Sequence, residues 1–141
     1  MPTLLTKYLR GLLLICIGCY AGQAFAAVTI SEFMASNNST ITDEDGDSSD
    51  WIEIHNSGNA AVNINGWYLT DDDGDLTQWQ LPNVTLPGNS YRLVFASNKD
   101  RTPANGELHT NFRLSAGGEY LALVEADGTT IVTEFAPEYP Q

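Results

Sequence analysis

The chain has 141 residues, of which 43% are hydrophobic, so it is long enough for one domain with a sizeable apolar core and too short to favour two. Its 18 acidic and six basic residues give a formal net charge of −12 at pH 7. This balance excludes a nucleic-acid-binding protein, because phosphate backbones require a basic surface.

The first 26 residues are predicted to be a cleaved signal peptide. Lys7 and Arg10 form a short basic region, the apolar stretch that follows is too brief to span a bilayer, and residues 24–26 fit the small-x-small pattern of signal peptidase sites. We expect export, with cleavage before Ala27, and a secreted or cell-surface location. The exported chain would keep four basic residues and a net charge of about −14.

Both cysteines, Cys16 and Cys19, lie inside this leader, so the exported domain would contain no disulfide. A second interpretation stays open here. Residues 17–19 (Ile-Gly-Cys) are similar to the end of a bacterial lipobox, in which Cys19 would be acylated and would hold the protein on a membrane. Cys16 stands where such motifs usually have leucine, so we favour ordinary cleavage.

After residue 27 the sequence consists of short β-branched and aromatic runs separated by Gly, Asn, Asp and Pro, with almost no helical period. This pattern predicts an all-β fold, an antiparallel β-sandwich over residues 27–136, with residues 137–141 as a C-terminal tail. The predicted strands are 28–35, 50–56, 61–69, 78–86, 90–96, 111–114, 119–125 and 130–135.

Three turn signals divide these strands. Gly66 lies where the apolar parity of the run 61–69 changes, which predicts a β-bulge. The Leu-Pro-Gly-Asn stretch at 86–89 predicts a type II turn with a positive φ at Gly88. The Asp-Gly pair at 127–128 predicts a hairpin.

The connections between strands are expected at two ends of the sandwich, because successive antiparallel strands alternate in direction. The segment 97–110 is the longest connection predicted to be irregular, and such loops often contain binding residues. One end is predicted to hold the segments 37–49, 70–77, 97–110 and 126–129, and the other the turns 57–60, 87–89 and 115–118.

Two segments at the first end are nearly alike, TDEDGDSSDW at 42–51 and TDDDGDLTQW at 70–79. So much like charge costs electrostatic free energy unless water, salt or a bound cation offsets it. Alternating carboxylates around a glycine are typical of calcium sites, although neither segment has EF-hand spacing. The alternative is a pair of solvated Asp-Gly turns that keep the domain soluble. The candidate calcium ligands are Asp43, Asp45, Asp47, Asp50, Asp71, Asp73 and Asp75.

Trp51 is the tryptophan predicted to face a ligand, because it alternates with Ile52 and adjoins the first acidic segment. Trp67 and Trp79 share parity with apolar neighbours, which predicts burial. Since an exposed indole stacks on pyranose rings, a carbohydrate site built from Trp51 and the segment 97–110 is an alternative function.

Catalysis and transition-metal binding have little support in the sequence. No serine has a nucleophile-elbow context, and the acidic residues cluster in turns rather than flanking an aromatic cleft, so no catalytic residue is assigned. We expect His55 to be an outward strand residue and His109 a loop residue. They are far apart in the sequence, and no cysteine accompanies them as a metal ligand.

An ordered set of motifs resembles the lamin-tail domain over residues 28–135. The motifs are ISEFMASN, DWIEIHN, INGWYLTDD, LPGNSYRLVFAS and TNFRLSAGGEYLALVEADG. The resemblance implies an immunoglobulin-like sandwich without catalytic activity, of a kind found in nuclear lamins and also in secreted bacterial proteins.

Together these observations predict an exported, non-catalytic structural, adhesion or accessory interaction module, stabilised by calcium if the acidic segments bind it. Its partner would be an extracellular protein or a cell-surface polysaccharide. The alternative is a calcium-assisted carbohydrate-binding module of a cell-surface or secreted hydrolase system.

Overall fold

The computed structural model describes residues 27–140, which form ten strands and no helix. The strands are β1 (Val28–Met34), β2 (Asp50–Asn56), β3 (Val62–Asn63), β4 (Tyr68–Thr70), β5 (Trp79–Gln80), β6 (Thr85–Leu86), β7 (Ser90–Ala96), β8 (Leu108–His109), β9 (Leu121–Val124) and β10 (Ile131–Phe135). The predicted leader, with Cys16 and Cys19, lies outside the described residues. Between residues 27 and 140 there is no helix that could span a membrane.

Two four-stranded sheets form the body of the molecule, and a two-stranded ribbon of β3 and β6 joins them. The first sheet has the order β1-β2-β7-β8 and the second β10-β9-β4-β5. Buried side chains from both sheets, including Ile54, Val94, Leu69 and Leu123, belong to one apolar core. The predicted immunoglobulin-like antiparallel β-sandwich is confirmed, with β7 and β8 as a parallel pair within it.

Strand β2 organises the first sheet, because it pairs along its length with both β1 and β7. Its alternation explains this position: Ile52 and Ile54 point into the core, whereas Glu53 and His55 are only half-buried on the other face. The register with β7 places Ile54 opposite Arg92 and thereby fixes which β7 side chains face the core.

The predicted bulge at Gly66 is wrong. Gly66 has a φ of 78° and lies in a turn in which the amide of Trp67 donates to the carbonyl of Ile64 at 3.2 Å. This turn takes the chain from the ribbon strand β3 to β4 of the second sheet, so the predicted strand 61–69 is two short strands. The run 78–86 divides in the same way into β5 and β6.

The turn at 86–89 also differs from the prediction. The positive φ, 53°, belongs to Asn89 and not to Gly88. Gly88 is needed for a different reason, since a Cβ atom on it would collide with the backbone carbonyl of Asn59. The turns 57–60 and 86–89 are held together by a hydrogen bond from the backbone amide of Asn89 to the carbonyl of Gly58 at 2.9 Å.

The predicted strand 111–114 is wrong as well. Arg113 makes only an isolated bridge with Ser97, and the strand of this region is β8, inside the segment 97–110 that was predicted to be irregular. A two-residue strand is too short to show an alternating sequence pattern. Strand β8 is defined instead by its pairing with β7 on one side and by its bridge to Arg101 on the other.

Because the strand predicted at 111–114 is absent from the described structure, the last two connections lie at the opposite ends from those predicted. Ala122 of β9 pairs with Thr70 of β4, so β9 starts at the end of the sandwich where β4 finishes. The turn 115–118 therefore lies at that end and the hairpin after β9 leaves from the other, the reverse of the prediction. The hairpin itself is confirmed, with Glu125 donating to Thr130 at 2.9 Å.

Tyr139, a residue of the predicted C-terminal tail, packs into the core of the domain. This side chain is 2% exposed and belongs to the core. Its amide donates to the carbonyl of Glu119 at 2.9 Å, its hydroxyl donates to that of Ser115 at 2.8 Å, and its ring centroid lies 4.7 Å from that of Phe33. Residues 137–140 of the predicted tail are thus held on the domain through Tyr139.

Replacing Gly88 with alanine is expected to lower the free energy of unfolding by about 1–3 kcal/mol, because the added methyl group forces the two turns apart. Urea denaturation measures this change. Gly117→Ala is the matched control: its Cβ would meet only the Ser115 hydroxyl, at 3.5 Å, so a change within about 0.5 kcal/mol is expected. Equal stability of the two variants would contradict the close-approach explanation.

Candidate functional site

Both acidic segments lie at the same end of the sandwich, as predicted. The first connects β1 to β2 and the second follows β4. The sheets meet at this end through Phe33 and Phe135, whose ring centroids are 5.0 Å apart. Burial raises the pKa of the Glu119 carboxyl, and the charges of Asp71 and Asp50 raise it further. Glu119 therefore lies close to both acidic segments.

The first acidic segment encloses the ammonium group of Lys99. The Lys99 Nζ atom lies 2.6 Å from Asp43 Oδ2, 2.7 Å from Asp45 Oδ2 and 3.0 Å from Asp47 Oδ2. We call these three carboxylates the aspartate triad. Their oxygens lie within 4.8 Å of one another, the convergence that a cation site requires. The cation at the centre of the triad is the protein's own lysine.

Asp43 is the buried member of the triad and holds the segment in shape. Its Oδ1 accepts the amides of Asp45 and Asp47, each at 3.1 Å, and its Oδ2 accepts the hydroxyl of Ser49 at 2.7 Å. Burial disfavours the charged carboxylate, but hydrogen bonds from Lys99, Ser49 and the backbone outweigh it and lower the pKa of Asp43 to about 2. Asp43 is therefore ionised at neutral pH despite its burial.

A second cation offsets part of the negative charge around the triad. Arg101 Nη1 lies 2.8 Å from Asp45 Oδ2 and 3.2 Å from Glu44 Oε1. Burial opposes the charge on Lys99, yet hydrogen bonds to the triad raise the pKa of its ammonium group. An added calcium ion would have to displace this ammonium group, so calcium binding by the triad stays a prediction.

The second acidic segment is built differently from the first. Asp72 and Asp75 accept hydrogen bonds from amides two residues later, at 2.8 and 3.1 Å, which makes them local turn formers. Burial raises the pKa of the half-buried Asp71, and Asp73 is exposed. Among the described residues, the carboxylates of this segment form no cluster of three. The likeness in sequence is not repeated in structure.

Asp50 also stands apart from the triad. It begins β2, and its Oδ1 accepts the amide of Asn37 at 2.9 Å, so it fastens the start of the acidic connection to the sheet. It also lines a polar cavity of about 420 Å³ together with Asp47, Lys99 and Arg113.

The burial of Trp51 argues against its predicted ligand-facing role. Trp51 is 8% exposed and lies in one row across the outer face of the first sheet with Met34, Phe95 and His109. The acidic connection lies over this row: the Thr40 hydroxyl donates to the Met34 sulfur at 3.3 Å, and Glu44 lies 3.8 Å from His109. Alternation assigned Trp51 to the correct face, but that face is covered.

Beneath this cover lies a serine–histidine pair that the sequence analysis missed. Ser97 Oγ is 2.9 Å from His109 Nδ1. His109 Nε2 has no hydrogen-bond partner among residues 27–140 and faces Glu44 and Glu107 at 3.8 and 3.9 Å. His109 is fully buried in β8, which corrects its predicted loop position, and Ser97 is 3% exposed. Ser97 also lines the polar cavity of about 420 Å³. Among residues 27–140, however, no carboxylate lies within hydrogen-bond distance of His109 Nε2, so the pair lacks the orienting acid of a catalytic triad.

The exposed half of the same outer face presents an aromatic platform, formed by His55 and Tyr91. The two rings stack with centroids 4.1 Å apart at an angle of 10°. Tyr91 is 59% exposed, and Glu53 beside the pair accepts the Ser31 hydroxyl at 2.7 Å. His55 is on the outward face, as predicted. Tyr91 was missed, although its parity with Leu93 and Phe95 indicates the same face.

Comparison with known proteins gives one family. A model of the Lamin Tail Domain matches residues 21–137, a range that includes all ten strands. No curated protein matches the chain.

Lys99→Met is expected to lower the free energy of unfolding by about 3 kcal/mol, because the buried carboxylate of Asp43 loses its counter-ion. The same change empties the centre of the triad, so millimolar calcium should raise the thermal midpoint of the variant more than that of the wild type. Differential scanning calorimetry with calcium and with chelator measures both effects.

Arg113→Met is the matched control, since Arg113 is exposed and, within residues 27–140, has no carboxylate at salt-bridge distance. It should change neither stability nor the response to calcium appreciably. An unaltered midpoint in Lys99→Met would contradict the neutralising role of Lys99. An equal calcium response in wild type and Lys99→Met would place the ion elsewhere.

Acid is expected to destabilise the protein through Asp43. Its folded-state pKa of about 2 lies below the ordinary 3.8, so the unfolded chain takes up the proton first and stability falls as the pH drops from about 4 to about 2. Asp43→Asn should show a shallower fall in chemical denaturation measured across this range. The slope that remains is expected from Asp127, whose pKa is lowered to about 2 by hydrogen bonds from Thr130, and from Asp45, whose pKa is lowered by its hydrogen bond with Lys99.

Exposed Asp73→Asn makes the same change of charge away from the triad and should keep the wild-type slope. Identical slopes for wild type and Asp43→Asn would show that Asp43 does not carry the acid sensitivity.

Proposed function

Because the chain belongs to the lamin tail domain family, a family of immunoglobulin-like domains without enzymatic activity, we propose that it is a non-catalytic interaction module. The predicted leader makes the extracellular space or the cell surface its place of action. An interaction module needs an accessible binding surface and does not need an accessible reactive group.

One observation carries the proposal. The serine–histidine pair is buried, with Ser97 3% and His109 0% exposed, whereas Tyr91 of the aromatic platform is 59% exposed. The platform stands on β2 and β7, the two longest-paired strands of the first sheet, so its rings are held in place before a partner arrives. Rigid aromatic side chains contribute more than their share of binding free energy at interfaces.

Charge indicates the partner that suits this surface. The chain has three acidic residues for every basic one, and Glu32 and Glu53 lie opposite each other next to the platform. We therefore propose an extracellular protein with a basic surface, attracted over a distance by charge and held at short range by the aromatic rings.

A cell-surface polysaccharide is the second candidate. The exposed ring of Tyr91 favours it, because aromatic rings pack on the apolar faces of sugar rings. In this version the site is the platform and not Trp51. Calcium, if it binds the acidic segments, would stabilise the module from the end of the sandwich and would not take part in recognition.

The double variant His55→Ala/Tyr91→Ala is expected to lose at least about tenfold in affinity for a surface partner, without loss of thermal stability, because the platform lies outside the core. Solid-phase binding to extracted surface proteins and, separately, to insoluble surface polysaccharide measures the loss. Binding that weakens with salt supports the basic protein, and salt-independent retention on polysaccharide supports the second candidate.

Ile131→Ala is the matched control, because Ile131 is the other exposed large apolar residue and lies on β10 of the second sheet. It should bind like the wild type. If the double variant binds as well as Ile131→Ala in both assays, the platform is not the recognition surface.

A further inference from the structure

A cavity of about 530 Å³ opens beside the ribbon, between the 82–85 turn and the 102–104 part of the long connection. This volume is within the range of sites for small ligands and peptide ends, about 300–1,000 Å³. Leu108 and Arg92 contribute to its lining from β8 and β7. No part of the acidic end or of the aromatic platform belongs to it.

Arg92 occupies an unusual position for a cation. It has the parity of Val94 and Ala96, which are buried, and it pairs with the fully buried Ile54, so the register directs its side chain to the inner face of the first sheet. The side chain is half-buried there. An arginine at a core-facing position costs free energy unless its charge and its donors are satisfied.

The donors of Arg92 are only partly satisfied. Nη2 donates to the carbonyl of Gly106 at 3.1 Å, whereas the Nε atom is buried and has no acceptor in the part of the chain that the structure describes. Over residues 27–140, no carboxylate lies within 4.0 Å of this guanidinium, although the chain has 18 acidic residues. Lys99 and Arg101 both have carboxylate partners, and Arg113 is exposed to water. Arg92 is a half-buried cation whose counter-ion is missing from its own fold.

The remaining walls indicate what the anion is attached to. Apolar surface comes from Pro82, Val84, Pro103 and Leu108, and hydrogen-bonding groups from the exposed Asn83 and Thr102. The lining contains no aromatic ring on which a sugar could stack. A guanidinium suits a carboxylate, because the two planar groups form paired hydrogen bonds. An apolar side chain directly beside a carboxylate is the chemistry of a peptide C-terminus.

We propose that this cavity binds the carboxylate of a peptide that ends in an apolar residue, with Arg92 as the anion-binding residue. The site is separate from the proposed platform, since Tyr91 and Arg92 are consecutive on β7 and face opposite sides of the sheet. The two sites can therefore be tested, and can fail, independently.

N-acetylleucine is the probe, and N-acetylleucinamide, which lacks the charge, is its matched control. Titration of the protein followed by amide NMR should give saturable shifts at Val84, Thr102 and Leu108 with the carboxylate, and binding at least about tenfold weaker with the amide. Arg92→Gln should reduce affinity for the carboxylate to that for the amide. Tyr91→Ala should leave carboxylate binding unchanged.

A second variant covers the case in which Arg92→Gln does not fold. Thr102 is exposed at the rim, and Thr102→Glu should weaken carboxylate binding by repulsion, whereas Ala116→Glu, an equal change of charge on a distant exposed turn, should not. Equal binding of acid and amide, carboxylate binding that survives Arg92→Gln, or no saturable shift would overturn the proposal. Glucuronate binding as tightly as N-acetylleucine would overturn the assignment to a peptide.

Discussion

The ion cluster around Lys99 determines how the rest of the domain can be used. The Lys99 ammonium group draws three aspartates of the β1–β2 connection together, and the connection then lies over one half of the first sheet. Without that cation the three carboxylates would repel one another, and this repulsion would oppose the folding of the connection over the sheet. Trp51, Phe95 and His109 are buried as a consequence, and this outer half of the sheet becomes a second interior.

The covered and uncovered halves of the sheet suit different purposes. Under the acidic connection, the Ser97–His109 pair is almost fully buried, and the 2.9 Å contact between Ser97 Oγ and His109 Nδ1 ties β8 to the end of β7. Away from it, the stacked rings of His55 and Tyr91 face solvent on the same strands, and Arg92 emerges on the opposite face. Strands β2 and β7 thus contribute core residues on their inner face and accessible side chains on both faces.

The sequence predicted the long strands correctly and missed the short ones. Strands β2 and β7 each have seven residues, β2 with alternating apolar and polar side chains and β7 with a continuous apolar run, and their predicted bounds match the structure. Strand β8 has two residues and is defined by distant partners, so no local pattern could reveal it. A parity change marks a bulge and a crossing between sheets equally, which is why Gly66 was misassigned. The partners of Lys99 are more than 50 residues away in the sequence, beyond any local pattern. The usable signal was that Lys99 belongs to the segment 97–110, which was predicted at the same end of the sandwich as both acidic segments.

The outer strands of the first sheet do not offer a free backbone ladder. His109 of β8 exchanges two backbone hydrogen bonds with Arg101, at 2.9 and 3.0 Å, so the chain itself closes that border. At the other border, β1 is interrupted by a shift of register between Ile30 and Glu32. Exposed strand borders recruit further strands and seed aggregates, and irregular or occupied ones resist this. Many copies of the domain could therefore be held at high local concentration without polymerising through their first sheets.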